Sequence, residues 1–536
     1  MSLSKKILSN TLWQIIGRLV TAFIGILSIK LITNFLPTDI YGQYTTIFEY
    51  IGFFAIAADF GLYTIGIREM SKKDQPTKYI LGNLLSLRIL LVVLCLGAAL
   101  IATPFIPKYS GTLVQKGLWI VALGTALNLI SGILTSVLQY KMQMLYANIA
   151  LIIGKISGFT YIAYIILSVK PDNLETGFNL LLAGGIITNL VLLLLTIYFT
   201  KKVVKIKPQV DRKYILKIIK HSLPYGLSII LSAMYFKIDI ILLSQLTDYH
   251  QTGIYGVPLK IMEIISVIPV FFMNASLPAL TEHFQTNKIK YQLTSQKCIT
   301  FLLLLGLPIV AGGFLLSKSI TYSISSPQFL SGYHCTNNIQ YVYHSPVEAY
   351  SNCNLVEFSP KFNWKESTET QTYTYFHGAD LALQVIIIAI LFNFINTFIN
   401  FSFITIERQN LLLYINSIGI IFNVITNLIL IPKYGFLAAA ATTLASEIII
   451  LLIGYTILKK FSQISLSEPN TIFKILLSTT FMSAVIVVLK PFTQSILGYN
   501  NILILIPLGA LTYGISILAL QVIPLQTIKN FINKNE

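Results

Sequence analysis

Apolar runs of about 20 to 28 residues, separated by short polar segments, recur along nearly the whole chain. About 20 apolar residues at 1.5 Å each cross the hydrocarbon core of a bilayer. That length places spans at 12–36, 44–67, 80–106, 117–139, 147–169, 178–199, 223–246, 253–280, 298–322, 380–406, 412–431, 436–458, 471–490 and 499–523. The pattern predicts an all-α polytopic membrane protein with about 14 transmembrane helices. The run after MSLSKK is too long for a signal-peptide core and has no small-residue cleavage site, so it reads as a first span rather than a cleaved leader.

Charges interrupt the apolar pattern, and the stretch Leu223 to Leu280 carries four of them. Its first half holds Lys237 and Asp239 near the middle, and its second half holds Lys260 and Glu263. Each charge at bilayer depth costs roughly 2.5 kcal/mol or more, so a helix retains it beside a partner or a wet cavity. This hairpin therefore reads as one wall of a polar pathway. Arg18, Arg88 and Lys30 sit at depths from which a long side chain can snorkel to an interface, and Lys155 lies at a similar depth. Asp59, Asp239, Glu263 and Glu447 have stems too short to escape. Lys260 and Glu263, three apart, share a helix face and can pair. Lys237 and Asp239 point apart, so each needs a partner from another helix. A salt bridge that only supports the fold is the competing reading for any single charge. Their recurrence on at least five spans favours a hydrated cavity.

Composition agrees with the pattern: 55% of the 536 residues are hydrophobic and only 11% are charged. A soluble protein carries about 25% charged residues. The net charge of +17 reflects orientation rather than nucleic-acid binding. With the N-terminus inside, 23 basic residues fall on inner segments and 8 on outer ones, which places both termini in the cytoplasm of a cell-membrane protein. No Walker loop, HExxH, GxSxG or CxxC motif is present, so no cofactor, no nucleotide hydrolysis and no soluble-type enzyme chemistry is expected. Energy must come from an ion gradient, the membrane potential or the substrate gradient.

The basic segment 201–222 reads as a solvated, amphipathic linker within reach of anionic headgroups and as the joint between an N-lobe (1–200) and a C-lobe (223–458). Residues 459–536 add two further spans and a tail. Gly42-Gln-Tyr44 opens span two and Gly253-Ile-Tyr255 opens span eight, a faint echo of an internal repeat. Parallel repeats around a central site are common in transporters. Between spans nine and ten an outer insert, about 333–377, alternates polar and apolar residues at 340–343, 355–358 and 372–376, as short strands do. Cys335 and Cys353 share this loop on the oxidising side and are expected to form a disulfide; free thiols in a disordered loop are the alternative. His334, Cys335, His344 and Cys353 match no standard zinc spacing, so no metal site is expected.

The run Asn10-Thr-Leu-Trp13, then LSIKLITNFLPTDIYGQY (27–44), DFGL (59–62) and Arg68-Glu69 resemble the polysaccharide-biosynthesis flippases. The second half agrees through KID, GIYG, KIMEI, SSPQFLSG (325–332) and GADLALQV (378–385). The resemblance places the chain among the multidrug and lipid-linked oligosaccharide exporters. It implies two six-helix lobes around a central cavity, lined by spans one, two, seven and eight. It also implies a flippase, not an enzyme, moving polyprenyl-diphosphate-linked oligosaccharide repeat units from inner to outer leaflet by alternating access, for cell-surface polysaccharide synthesis. Membrane lipids and a polysaccharide polymerase complex are the implied partners. The insert departs from this pattern, since relatives have a short turn there.

Moving an anionic diphosphate through the membrane requires cations in a closed-off cavity. Arg18, Lys155, Lys237 and Lys260 are the candidates for binding it. Asp59, Asp239, Glu263 and Glu447 are candidates for holding those cations or carrying a proton or sodium ion. Glu49 and Lys260 each lie seven residues past the glycine of the echo, and are expected to form an outer gate; permanent pairing of Lys260 with Glu263 is the alternative. Two rival functions remain. An ion-coupled drug exporter of the same fold would want an aromatic, anionic cavity. A membrane-embedded glycosyl polymerase or ligase would place its catalytic groups in the outer insert, which offers His334, His344, His377, Glu348, Glu357 and Glu366.

Overall fold

A computed structural model describes residues 3–72, 75–169, 173–335, 341–342, 366–368, 371–462 and 468–522. The chain is built of helices, apart from one small sheet in the insert. Among the described residues, 11 stretches are long and apolar enough to cross a membrane. The two longest, of 53 and 51 residues, would measure about 80 Å if straight, far beyond a core of about 30 Å. Each is broken by a glycine in the left-handed region, Gly435 (φ 58°) and Gly498 (φ 56°), so each makes two crossings. Together with the helix Arg212–Leu246 they give the fourteen expected crossings.

The chain forms two compact units, 1–253 and 254–536. The first contains α1 (Leu3–Phe35), α2 (Thr38–Asp59), α3 (Leu62–Lys72), α4 (Thr77–Ala102), α5 (Leu113–Tyr140), α6 (Met144–Tyr164), α7 (Leu174–Lys201) and α8 (Arg212–Leu246). The first turn of α9 (Tyr249–Ile265) also belongs to it. Sequence alone sets a lobe boundary at the basic linker, whereas compactness keeps α8 with α2 and α4. One core cluster joins Leu62, Ile65, Ile80, Leu84, Ile133, Leu134, Val137 and Ile218 from neighbouring helices.

The second unit contains the rest of α9, then α10 (Val267–Thr286), α11 (Lys288–Leu315), α12 (Ser317–Ile324), α13 (Ala379–Thr405), α14 (Gln409–Phe461), α15 (Pro469–Leu497) and α16 (Ile502–Ala519). Here α13 packs between α11 and α14, and α15 and α16 form a hairpin against α11. Leu316, Ile475, Met482, Ile486, Leu505 and Ile517 make the core of that corner.

Spans two and eight are each broken. Span two stops at Asp59, where Phe60 (φ 46°) and Gly61 (φ 70°) turn left-handed before α3 begins. Span eight stops at Ile265; Pro269, four residues on, has no N–H to give to that carbonyl. The glycines of the Gly-x-Tyr echo meet within the first unit. A Cβ on Gly42 would lie 1.8 Å from the Tyr249 carbonyl oxygen, and one on Gly253 would lie 2.1 Å from that of Thr38. Each carbonyl sits four residues before the other's glycine, so the contact is reciprocal, and any side chain at either position would separate the two backbones.

The insert is tied at its base. Ser331 donates from its backbone N–H (2.7 Å) and its hydroxyl (2.6 Å) to the buried Asp380 carboxylate. A Cβ on Gly378 would lie 2.0 Å from the Ser331 nitrogen. Above this neck, β1 (Gly332–Cys335) pairs antiparallel with β4 (Gln371–Phe376), and β2 (Tyr341–Val342) and β3 (Glu366–Thr368) complete the strand order β2-β1-β4-β3. Strands thus form within the first and last of the three expected segments. The middle one, 355–358, and Cys353 lie outside the described residues, and only the strand backbone is described at Cys335. His344, Glu348 and Glu357 also lie outside them.

Candidate functional site

The polar groups of the first unit gather along α2. Several of its polar side chains are buried: Thr45, Thr46 and Glu49 are all within 3% of full burial. The Glu49 carboxylate accepts a hydrogen bond from the Lys237 ammonium on α8. The two side chains differ in exposure, at 4% for Glu49 and 18% for Lys237. The carboxylate is sealed in, while the lysine side chain is partly exposed. Room for the lysine comes from Gly52, one turn on from Glu49, where a Cβ would lie 3.1 Å from both Cε and Nζ of Lys237. Paired with Glu49 the cation is charge-compensated, so it would have to exchange the carboxylate for an anion in order to bind one.

One helical segment further along, the break in span two is clamped by a second ion pair. Arg88 on α4 is fully buried; it donates to Asp59 (2.6 Å) and to the Ala58 carbonyl (3.0 Å). It thus satisfies one of the carbonyls left open where α2 ends and the charge beside it. The Phe60 ring of the same turn lies against Gly226 on α8, where a Cβ would come within 2.8 Å of it. Arg88 therefore does not snorkel, although its stem is long enough. Sequence reasoning misses it as a site residue because depth alone cannot distinguish an outward from an inward direction. The available signal is the short-stemmed Asp59, which needs a cation from a neighbouring span.

The second unit holds its charges differently. Lys260 donates to Glu263 on its own helix at 2.9 Å, and both side chains are partly exposed, 30% and 46%. This is the i, i+3 pairing allowed by their spacing. Glu447 on α14 is buried and accepts from the amides of Asn393 (3.1 Å) and Asn396 (2.7 Å) on α13. Asn396 also donates to the Glu447 backbone carbonyl at 2.9 Å. Nearby on α14, Asn427 donates to Asn423 (3.1 Å), and the hydroxyls of Tyr255 and Thr443 meet at 3.1 Å. The asparagines carry no charge, so a search of the sequence for ionised groups passes over them.

The remaining candidates are dispersed. Arg18 is exposed on α1, and Lys155 is exposed on α6, on the side away from the contact that Gly154 makes with α7. Asp239 is buried on α8. Among the described residues no group of three or more His, Cys, Asp or Glu side chains could hold a metal ion. The geometry thus brings together Glu49 with Lys237, Asp59 with Arg88, and Lys260 with Glu263.

A profile described as "Polysaccharide biosynthesis protein" matches residues 7–284, just over half of the chain. No curated protein matches the sequence. Among solved structures, the chain is similar to the lipid II flippase MurJ in an inward closed conformation, with a TM-score of 0.69, 14% identity, and 95% of this chain and 98% of that one covered. It is also similar to an inward-facing multidrug resistance MATE family transporter of the MOP superfamily, with a TM-score of 0.60, 12% identity, and coverage of 83% and 97%. An outward-facing multidrug resistance MATE family transporter of the same superfamily gives a TM-score of 0.53 at 13% identity, with 85% and 96% covered. At such identities these structures establish a shared fold. Taken with the profile, they place this multi-pass membrane protein in the polysaccharide biosynthesis protein family.

Proposed function

We propose that this chain is a flippase that carries polyprenyl-diphosphate-linked oligosaccharide repeat units from the inner to the outer leaflet of the cell membrane, by alternating access between two lobes. The observation that carries this reading is the partly exposed Lys237, paired inside the first unit with buried Glu49, in a fold shared with a lipid II flippase. A diphosphate headgroup is strongly destabilised in hydrocarbon, and a cation that exchanges its carboxylate for the headgroup offers it a charge-assisted contact. Arg18, Lys155 and Lys260 would extend the basic path. Asp59, Asp239, Glu263 and Glu447 would hold cations or carry a coupling ion, and Glu49 would be exchanged between cations as the outer mouth closes. Both termini would be cytoplasmic. A polysaccharide polymerase complex would receive the product on the far side.

A drug exporter of the same fold is the competing reading, and the presence of a cation beside each of Glu49, Asp59 and Glu263, rather than carboxylates alone, argues against it. The test is reconstitution with fluorescent lipid-linked oligosaccharide. Sugar that becomes accessible to a membrane-impermeant reagent at the opposite face, in wild type but not in Lys237→Ala, supports the proposal. Export of cationic dyes with no movement of the lipid-linked sugar would reject it.

A further inference from the structure

The basic linker between α7 and α8 is not a loose tether. Residues 203–211 lie as a strap against the start of α4. The Gln209 N–H donates to the Gly82 carbonyl at 3.2 Å, and the Asp211 N–H donates to the Asn83 side chain at 2.7 Å. Gly82 permits the contact, since a Cβ there would lie 2.5 Å from the Lys207 carbonyl oxygen. Along the strap the side chains alternate as on an extended chain. Val204 and Ile206 turn into the core of the first unit, while Lys205 and Lys207 stay exposed.

The first turns of α8 continue the same division. Tyr214, Ile215, Ile218 and Ile219 face the core, and Arg212, Lys213, Leu216, Lys217 and Lys220 face out. The segment 201–220 is dense in lysine and arginine and holds one acidic residue, Asp211. That carboxylate is occupied: it caps α8 by accepting from the N–H groups of Lys213 (2.9 Å) and Tyr214 (3.2 Å) and receives the Tyr79 hydroxyl at 2.5 Å. These bonds, the Tyr79 hydroxyl first, hold it below the usual carboxylate range. The outward face is left uniformly positive. It also carries two exposed apolar side chains, Val210 (79%) and Leu216 (56%). The 35 residues of α8 measure about 52 Å, against a hydrocarbon core of about 30 Å. The excess must project beyond the core, and the charged first turns are the end suited to the headgroup layer.

We propose that this strap and the start of α8 form a binding surface for anionic phospholipid headgroups, with Val210 and Leu216 entering the acyl boundary and the lysines meeting phosphates. The face is preformed, because Gly82, Asn83 and Tyr79 order it before any lipid arrives. The occupant is the bulk anionic lipid of the leaflet, so the proposal does not depend on the identity of the transported substrate.

The test uses the full-length protein reconstituted in bilayers, with Val210→Trp as a reporter and the parent protein's fluorescence subtracted. Brominated phosphatidylglycerol should quench the reporter at a local mole fraction about fivefold above that of brominated phosphatidylcholine at low salt. The preference should fall steeply as the Debye length shrinks from about 30 Å to about 8 Å. The quadruple change Lys205→Gln, Lys207→Gln, Lys213→Gln and Lys217→Gln should bring it to about onefold, with helical content and elution volume unchanged. Lys116→Gln, on the opposite end of the first unit, should leave it intact. A preference that survives the quadruple change overturns the proposal. So does the absence of any preference in wild type, including the case where only added polyglutamate protects the reporter, which would point to an acidic protein partner instead.

Discussion

The two units hold carboxylates in their interiors by opposite means. In the first, Glu49 and Asp59 each meet a cation from another helix, Lys237 and Arg88. In the second, Glu447 and Asp380 receive hydrogen bonds from neutral groups, the amides of Asn393 and Asn396 and the N–H and hydroxyl of Ser331. The difference matters in two ways. Removing one member of a buried ion pair leaves an uncompensated charge, whereas a carboxylate held by amides can be replaced by an isosteric amide at small cost. And only a cation can be lent to an anionic substrate. Glu49 and Asp59 in the first unit thus depend on charged partners, whereas Glu447 and Asp380 in the second rest on neutral donors.

The comparison is broken most sharply at Arg88. Arg88→Ala should destabilise the protein by about 2–4 kcal/mol, because it opens a cavity, leaves the Ala58 carbonyl unmet and orphans an Asp59 that is only partly buried, seen as loss of thermal stability and of protein from the membrane. Arg88→Lys should recover part of this, through the bond to Asp59 but not that to the Ala58 carbonyl. An unchanged melting point for Arg88→Ala would mean that the break in span two supports itself.

Lys237→Ala, made together with Glu49→Gln so that no buried charge is orphaned, should reduce sugar translocation by about 30- to 150-fold, equivalent to about 2–3 kcal/mol of charge-assisted contact, with protein level largely kept. Gly52→Val should approach the same loss by occupying the space of the lysine's end, while Gly25→Ala, where nothing lies within 4 Å, should have no effect. If protein level falls in step with translocation in both site variants, the pair is a structural brace.

Glu447→Gln should change stability by less than about 1 kcal/mol, provided its one remaining oxygen keeps the Asn396 amide and Asn393 turns its own amide over to accept from the new NH2. Its transport phenotype sharpens the contrast: full activity assigns Glu447 to structure, and loss of pH dependence with the fold intact assigns it to ion coupling. Lys260→Ala should be the mildest for stability, within about 0.5 kcal/mol, because its pairing with Glu263 is partly exposed and local. A large drop in melting temperature would show that Lys260 has a tertiary role.

The number of spans is legible in the sequence because bilayer thickness imposes a length on every apolar run. So is the need of the charges in spans two, seven and eight for partners. What the sequence cannot supply is direction. Lys237 and Arg88 have similar stems and similar freedom, and packing decides that both turn inward. Gly52 carries no polar atom and stands out only once Lys237 is seen folded over it. Span two reads as continuous because Asp59-Phe-Gly61 is a turn of two left-handed residues, of which only the glycine is a conspicuous breaker. Strand alternation in the insert is visible, since a period of two survives even in short pieces, but the sheet order depends on pairings that alternation does not encode.

The tied neck of the insert has a consequence for how such proteins are built. Ser331 and Asp380 close the base with two hydrogen bonds, and Gly332 stands opposite Phe376 as the first strand pair above it. Directly opposed residues in an antiparallel pair lie only about 4.5–5.5 Å apart, so everything beyond that rung hangs from a junction hardly wider than a hairpin. The junction is in effect a socket. A lineage can lengthen, trade or discard what is plugged into it while α12 and α13 keep their places, and a laboratory can fit a fluorescent domain or an epitope there, provided the graft begins and ends on adjacent strands.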